Sequence, residues 1–152
     1  MAITAPLSRH KKTNYVIAFV VLVALSAWFG YDGYLNKGFA EKHTDKDGKP
    51  NGTLVFNRQA PFYLLPAAAV VVVAFLLAKD KKAVADETGL HVGKTTVAYD
   101  SIEKIDKTYF ESKGFFVVTY KNAQGAEASL RLSDRTYDGL PAVLEELIRR
   151  IS

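Results

Sequence analysis

The chain has 152 residues, a mean hydropathy of +0.00, no cysteine and a formal net charge of +4. The missing thiols exclude a disulfide scaffold and cysteine-based catalysis or metal binding. The hydropathy average hides two uncharged, largely apolar blocks, residues 13–31 and 59–78. Each is close to the roughly 20 residues that a helix needs to cross a bilayer, which excludes a single soluble domain.

The positive charge lies around these blocks and not beyond them. Residues 1–82 carry 11 Lys and Arg against 5 Asp and Glu, a net of +6, whereas residues 83–152 carry 9 against 11, a net of −2. A nucleic-acid-binding domain concentrates positive charge on the folded domain itself, so this distribution argues against nucleic acid as a partner. Basic residues beside apolar blocks are typical topology signals and contacts for lipid headgroups.

The first predicted elements are a basic N-terminal tail, residues 1–13, and a first transmembrane helix, residues 14–34. Amphipathic rings and basic side chains favour the headgroup zone. The residues expected there are Arg9, Lys11, Lys12, Trp28, Tyr31 and Tyr34. A cleaved signal peptide is the alternative, since Leu25-Ser26-Ala27 follows a basic segment and an apolar core. We favour a retained anchor, because Leu25 breaks the small-x-small pattern of cleavage sites.

Residues 35–60 are predicted to be a solvated connecting loop. Turn signals such as Asp47-Gly48 predict a short hairpin that ends in a strand at Thr53–Phe56. The triplet Asn51-Gly52-Thr53 also matches a glycosylation acceptor, a pattern that is common by chance.

The second transmembrane helix is predicted over residues 61–78, with Pro61 in its first turn. A basic linker, residues 79–82, follows and adds Lys79, Lys81 and Lys82 to the membrane-interface residues. A buried helix of a soluble protein can be equally apolar, but two such segments flanked by charges and aromatic residues favour spanning. The loop carries five Lys and Arg spread over about 26 residues, whereas the terminal Lys and Arg clusters are dense and adjacent to the spans. The positive-inside rule therefore favours both termini in the cytoplasm.

The remaining chain, residues 83–152, is predicted to form a small domain of antiparallel strands and one helix. The predicted strands are residues 83–85, 90–92, 95–98, 104–111, 114–121 and 128–132, with a hairpin loop at 122–125. The helix begins after Asp138 as its N-cap and carries one apolar stripe from Leu140 to Ile151. The i,i+4 spacing predicts ion pairs of Glu145 with Arg149 and of Glu146 with Arg150.

This pattern resembles the bacterial PH-like domains of small membrane proteins, including the YcxB-like type. The matching segments are Asp86–Leu90, Val97–Ile102 and the final strand with its helix. The resemblance implies a two-span transmembrane α-helical hairpin plus a small α+β PH-like domain, located in a bacterial inner membrane. Phosphoinositide binding is not expected, because the first hairpin carries Asp86 and Glu87.

The sequence offers no catalytic, cofactor-binding or metal-binding residues. The three histidines, His10, His43 and His91, fall in the tail, the loop and a strand. We therefore expect a non-enzymatic, membrane-anchored interaction module that acts with the lipid bilayer and other membrane proteins, such as an accessory subunit or assembly factor. The alternative is a lipid- or small-ligand-binding PH-like protein at the membrane surface. A channel or transporter component is disfavoured, since Asp32 falls where the first span ends and no charge lies deeper in either span.

Overall fold

A computed structural model describes all 152 residues of the chain. The chain forms two compact units, one of residues 1–12 with 77–152 and one of residues 13–76. The strands are β1 Ile3–Pro6, β2 Lys82–Ala85, β3 Leu90–Val92, β4 Thr95–Val97, β5 Ile102–Asp106, β6 Phe115–Lys121 and β7 Glu127–Ser133. The α-helices are α1 Arg9–Gly30, α2 Lys37–Lys42, α3 Gly52–Ala78, α4 Phe110–Lys113 and α5 Leu140–Ile151.

The first sheet has the order β1-β2-β3-β4, and every neighbouring pair is antiparallel. The prediction of a basic tail over residues 1–13 is therefore wrong for β1, which pairs with β2 from Ile3 opposite Ala85 to Pro6 opposite Lys82. Proline is tolerated there because β1 is an edge strand. Lys82, predicted to end a linker, is the first residue of β2.

Hydrogen bonds fix the passage from β1 into α1. The Leu7 N–H donates to the Lys81 carbonyl at 3.0 Å, and Ser8 accepts from the Lys11 N–H at 3.1 Å as the N-cap of α1. The Arg9 N–H donates to the carboxylate of Asp138 at 3.0 Å. The prediction that Asp138 caps the C-terminal helix is thus wrong: Gly139, with φ of 80°, precedes α5, and Asp138 serves α1 instead.

The second sheet has the order β5-β6-β7, also antiparallel, and the predicted hairpin loop at residues 122–125 is confirmed. The strand predicted over residues 104–111 is only partly right, because β5 ends at Asp106 and the short helix α4 follows. The predicted apolar stripe of α5 is confirmed and closes one core with both sheets. Its central members are Ala83, Leu90, Val97, Phe116, Val118, Leu132, Leu140, Val143 and Leu147.

The segment predicted to be a solvated loop, residues 35–60, is largely helical. It contains α2 and the first nine residues of α3, so the predicted strand at Thr53–Phe56 is wrong. The amide oxygen of Asn51 accepts the Leu54 N–H at 3.1 Å and caps the helix, which starts α3 before the predicted residue 61. The first predicted span also differs, since α1 starts at Arg9 and continues as one π-helical segment, Tyr31–Leu35.

A close contact joins the π-helical segment to the first turns of α3. The Arg58 Nε–H donates to the Gly33 carbonyl at 2.8 Å, and the Tyr34 hydroxyl donates to the Arg58 carbonyl at 2.9 Å. A Cβ atom at Gly33 would lie 3.0 Å from the backbone nitrogen of Arg58. Glycine is therefore what permits this approach.

Two helical stretches, Arg9–Leu35 and Gly52–Ala78, are long and apolar enough to cross a membrane. Only 11% of the most apolar window of each is buried within the chain. A core helix of a soluble protein is mostly buried, whereas the apolar surface of these helices is not covered by the chain itself.

Candidate functional site

A groove of about 660 Å³ lies along α5, where β5 and α4 pass beside it. Its apolar part is formed by Ile105, Phe110, Leu144 and Ile148. Leu144 and Ile148 are one helical turn apart and belong to the apolar stripe that also faces the core. The groove is thus a continuation of the core surface that no other element of the chain covers.

Backbone groups border the same groove, because β5 is an edge strand. The sheet order leaves β6 as the only strand hydrogen-bonded to β5, so its other side presents unpaired N–H and C=O groups. Such an edge is a template for one more strand. A register shift between Ile102 and Lys104 marks a bulge at the start of β5, a common feature of strand edges.

The lysines of the groove lie on the β5 side, and its glutamates lie on the two helices. Lys104 and Lys107 belong to β5 and the residue after it, and Glu111 and Glu145 belong to α4 and α5. Asp106 is held by the residues that follow β5: its carboxylate accepts the N–H of Thr108 at 3.0 Å. Hydrogen bonds from the side chain and from the backbone N–H of Thr108 lower the pKa of Asp106, so the carboxylate stays charged.

The ion pairs of α5 differ from the predicted ones and leave Glu145 in the groove. The carboxylate of Glu146, whose side chain is only 4% exposed, accepts hydrogen bonds from both Arg150 and Arg149. The predicted Glu146 with Arg150 pair is confirmed, and the predicted Glu145 with Arg149 pair is wrong, because Glu146 already binds that guanidinium. The hydrogen bonds from Arg150 and Arg149 lower the pKa of Glu146.

A second polar cluster closes the turn between β2 and β3. The Asp86 carboxylate accepts the N–H and the hydroxyl of Thr88 at 2.8 and 2.7 Å, and the His91 ring lies 3.1 Å from it. The hydrogen bonds from Thr88 are the main reason that the pKa of Asp86 is lowered far below its usual range. The Tyr99 hydroxyl donates to the Asp86 carbonyl at 2.5 Å. All these groups bind one another, which gives the cluster a structural role in the turn.

The predicted membrane-interface residues lie on the surface, in two separate groups. Arg9, Lys11, Lys12, Lys79, Lys81 and Lys82 are exposed in the unit that contains the sheets. Trp28, Tyr31 and Tyr34 are exposed in the helical unit, with Trp28 68% exposed although its indole N–H donates to Asp32 at 3.0 Å. Their predicted contact with lipid stays a prediction.

Sequence reasoning missed the residues of the groove. Lys104, Ile105, Phe110 and Ile148 were placed only as members of strands or of the helix stripe. The one available signal was the breadth of the α5 stripe, which includes more apolar residues than the sheets cover.

No protein-family model, curated protein or solved structure matches the chain. Seven strands in two antiparallel sheets and a C-terminal helix form one unit, and an apolar helical hairpin is inserted between the first two of those strands.

Proposed function

We propose that the chain is a non-enzymatic, membrane-anchored interaction module that binds an extended segment of another membrane protein in the groove between β5 and α5. The observation that carries this proposal is the combination, at one place, of an unpaired strand edge and an uncovered apolar surface. A peptide that adds to a strand edge gains main-chain hydrogen bonds, and neighbouring apolar pockets select its side chains.

The two long helices support the anchoring part of the proposal. Twenty helical residues extend about 30 Å, which matches the hydrocarbon thickness of a bilayer. With only 11% of the most apolar window of each helix buried, the hairpin exposes apolar surface that lipid would remove from water. The dense basic clusters in the first turn of α1 and after α3 favour a cytoplasmic location of both ends. The resemblance adds a bacterial inner membrane to this proposal.

The pairing of β1 with β2 supports the retained anchor over a cleaved signal peptide. Cleavage after Ala27 would remove β1, and with it the buried Ala5 and Leu7, from the sheet that it completes. If the two helices span a membrane as proposed, the same pairing supports an N-terminus and a C-terminal domain on one side of it, as two spans allow.

The strand arrangement supports a PH-like domain. The resemblance implies antiparallel strands closed by a C-terminal helix, and the chain has two antiparallel sheets with a final helix that packs on both. In this proposal the first strand of the PH-like domain precedes the membrane anchor, and the other six follow it.

The short connection between α3 and β2 limits where a partner can be. Only residues 79–81 separate the two elements, and three extended residues reach at most about 11 Å. The groove therefore serves partners at the membrane surface, which fits an accessory subunit or assembly factor of a membrane complex.

Site-specific photo-cross-linking in native membranes tests the proposal. A photoreactive amino acid at Lys104, beside the groove, is expected to form one defined protein adduct, and the same group at Gln124, in the β6–β7 turn, is not. Ile148→Ser should reduce the Lys104 adduct more than ten-fold, since it removes three side-chain carbons and each buried CH₂ is worth about 0.8 kcal/mol. Ile151→Ser, at an exposed position of the same helix outside the groove, is the matched control.

Three results would decide against the groove. Equal adducts from Lys104 and Gln124 would show that contact is not selective, and an unchanged adduct in Ile148→Ser would place the partner elsewhere. Adducts with lipid alone at Lys104 would favour the competing hypothesis, a lipid- or small-ligand-binding protein.

A further inference from the structure

The two ends of the β2–β3 hairpin carry opposite charges. Asp86 and Glu87 lie in the turn that joins the strands, whereas Lys82 begins β2 at the opposite end. The turn from β3 to β4, with Lys94, lies at the same end as Lys82, because β3 runs antiparallel to β2. The acidic β2–β3 turn, which disfavours phosphate binding, therefore lies at one end of these strands, and the lysines Lys82 and Lys94 lie at the other end.

A cavity of about 310 Å³ lies at the basic end. Its lining consists of the lysines Lys81 and Lys82, the apolar side chains of Leu77 and Val84, and His91, together with Asp80 and Gly93. Lys82 and Val84 point away from the core, because the intervening Ala83 is buried, and Val84 is paired with His91 on the same face. The cavity thus combines cationic and apolar walls on the outer face of the first sheet.

The backbone at this place is fixed although the lysine side chains are exposed. The Lys81 N–H donates to the Ala78 carbonyl at 3.0 Å, and the Lys81 carbonyl accepts the Leu7 N–H at 3.0 Å. The His91 ring is held between Asp86 and Thr96, 3.1 Å from each, so it forms a wall rather than a free ligand. Less ordering is therefore needed on binding than for lysines on a free chain.

With α3 crossing the membrane as proposed, this cavity would lie at the level of lipid headgroups. Leu77, 74% exposed, is in the last turn of α3, and three residues at most separate that helix from Lys82. The headgroup layer of a bilayer is about 5–8 Å thick on each side, which is within the reach of those residues. Asp80 lies 4.0 Å from Lys79, which leaves Lys81 and Lys82 as the cations that face the cavity without an acidic partner in an ion pair.

We infer that this cavity binds the headgroup of an anionic phospholipid from the adjacent leaflet. The phosphodiester lies against Lys81 and Lys82, and the glycerol and first acyl carbons lie against Leu77 and Val84. This inference rests on the membrane anchoring in the proposed function, and it adds a lipid to the partner bound in the groove.

Native mass spectrometry of the full-length protein, released from detergent micelles, tests the inference. Titration with phosphatidylglycerol is expected to give one tightly bound lipid, and titration with phosphatidylcholine is not. An anionic surface is worth about 1 kcal/mol per lysine, so Lys81→Gln and Lys82→Gln should each weaken phosphatidylglycerol binding about five-fold. The matched control, Lys46→Gln with Lys49→Gln, removes two exposed lysines of the other unit and should leave binding unchanged.

The outcomes separate this inference from the anchoring itself. Equal binding of the two lipids, or equal weakening by the control pair, would overturn the headgroup site. Displacement of the lipid by inorganic phosphate at the same concentration would also overturn it, since the site would then bind free phosphate. Anchoring is tested separately: extraction of the chain from membranes by alkaline carbonate would contradict the proposed function, whichever lipid binds.

Discussion

Leu7 provides a stringent test of the N-terminal strand. Its side chain is 3% exposed. Its N–H donates to the Lys81 carbonyl, so the residue just after β1 is bonded to the residue just before β2. Replacement of a buried leucine by alanine costs about 2–5 kcal/mol, because it removes apolar contacts and leaves a cavity. We expect Leu7→Ala to cost about 3 kcal/mol, close to a hundred-fold change in the opening equilibrium of the sheet.

Hydrogen exchange of the full-length protein in micelles, followed by mass spectrometry, measures this opening. The amides of β2, from Lys82 to Ala85, should exchange about a hundred times faster in Leu7→Ala. Thr4→Ala is the control: Thr4 is an exposed residue of the same strand, and its loss should cost about 0.5 kcal/mol or less. Unchanged protection of β2 in Leu7→Ala would refute the integration of β1 into the domain.

Two further predictions concern single sites. Gly33→Ala should lower the free energy of unfolding of the helical unit in micelles by about 1–3 kcal/mol, since the new Cβ would lie 3.0 Å from the backbone of α3. Thermal unfolding followed by circular dichroism measures this loss. Gly38→Ala is the control, because its Cβ would have 3.7 Å to the nearest atom. The hydrogen bonds from Arg150 and Arg149 lower the pKa of Glu146 in the folded protein. The charged Glu146 therefore stabilises the fold at pH values above the pKa of an unfolded glutamate, about 4.3, and this stabilisation is lost as the pH falls through the pKa of the folded state. Glu146→Gln should therefore flatten the acid side of a plot of stability against pH, and a plot parallel to that of the parent protein would contradict this.

Elements with a strong local pattern could be predicted from the sequence. The two long segments stand out as continuous apolar runs, whereas the α5 stripe and the alternation along β7 each repeat a simple period. Such patterns decide which face of an element is buried, whatever the rest of the chain does.

Elements that depend on distant partners could not be predicted. β1 has four residues, one of them proline, and it is a strand because β2, more than 70 residues later, pairs with it. Asn51-Gly52 fits both a turn and a helix start, and the contacts of Leu54, which is 1% exposed, favour the helix. The groove is lined jointly by β5, α4 and α5, so no single segment of the sequence encodes it.

The central claim is that the apolar helical hairpin, the proposed membrane anchor, is inserted between the first two strands of one folded domain. The cysteine-free chain allows a direct test with one engineered pair, Thr4→Cys with Val84→Cys, in native membranes. These residues face each other across β1 and β2, at the roughly 5 Å that a disulfide requires. Thr96 lies on the same row but three strand spacings from Thr4, about 14 Å, so Thr4→Cys with Thr96→Cys is the control.

Mild oxidation followed by intact-mass measurement gives the answer. The account predicts a loss of two hydrogens within a single chain for the Thr4 and Val84 pair, and none for the Thr4 and Thr96 pair. No disulfide in the first pair, or equal formation in both, would contradict the account, because β1 would then lie outside the sheet or across the membrane from it.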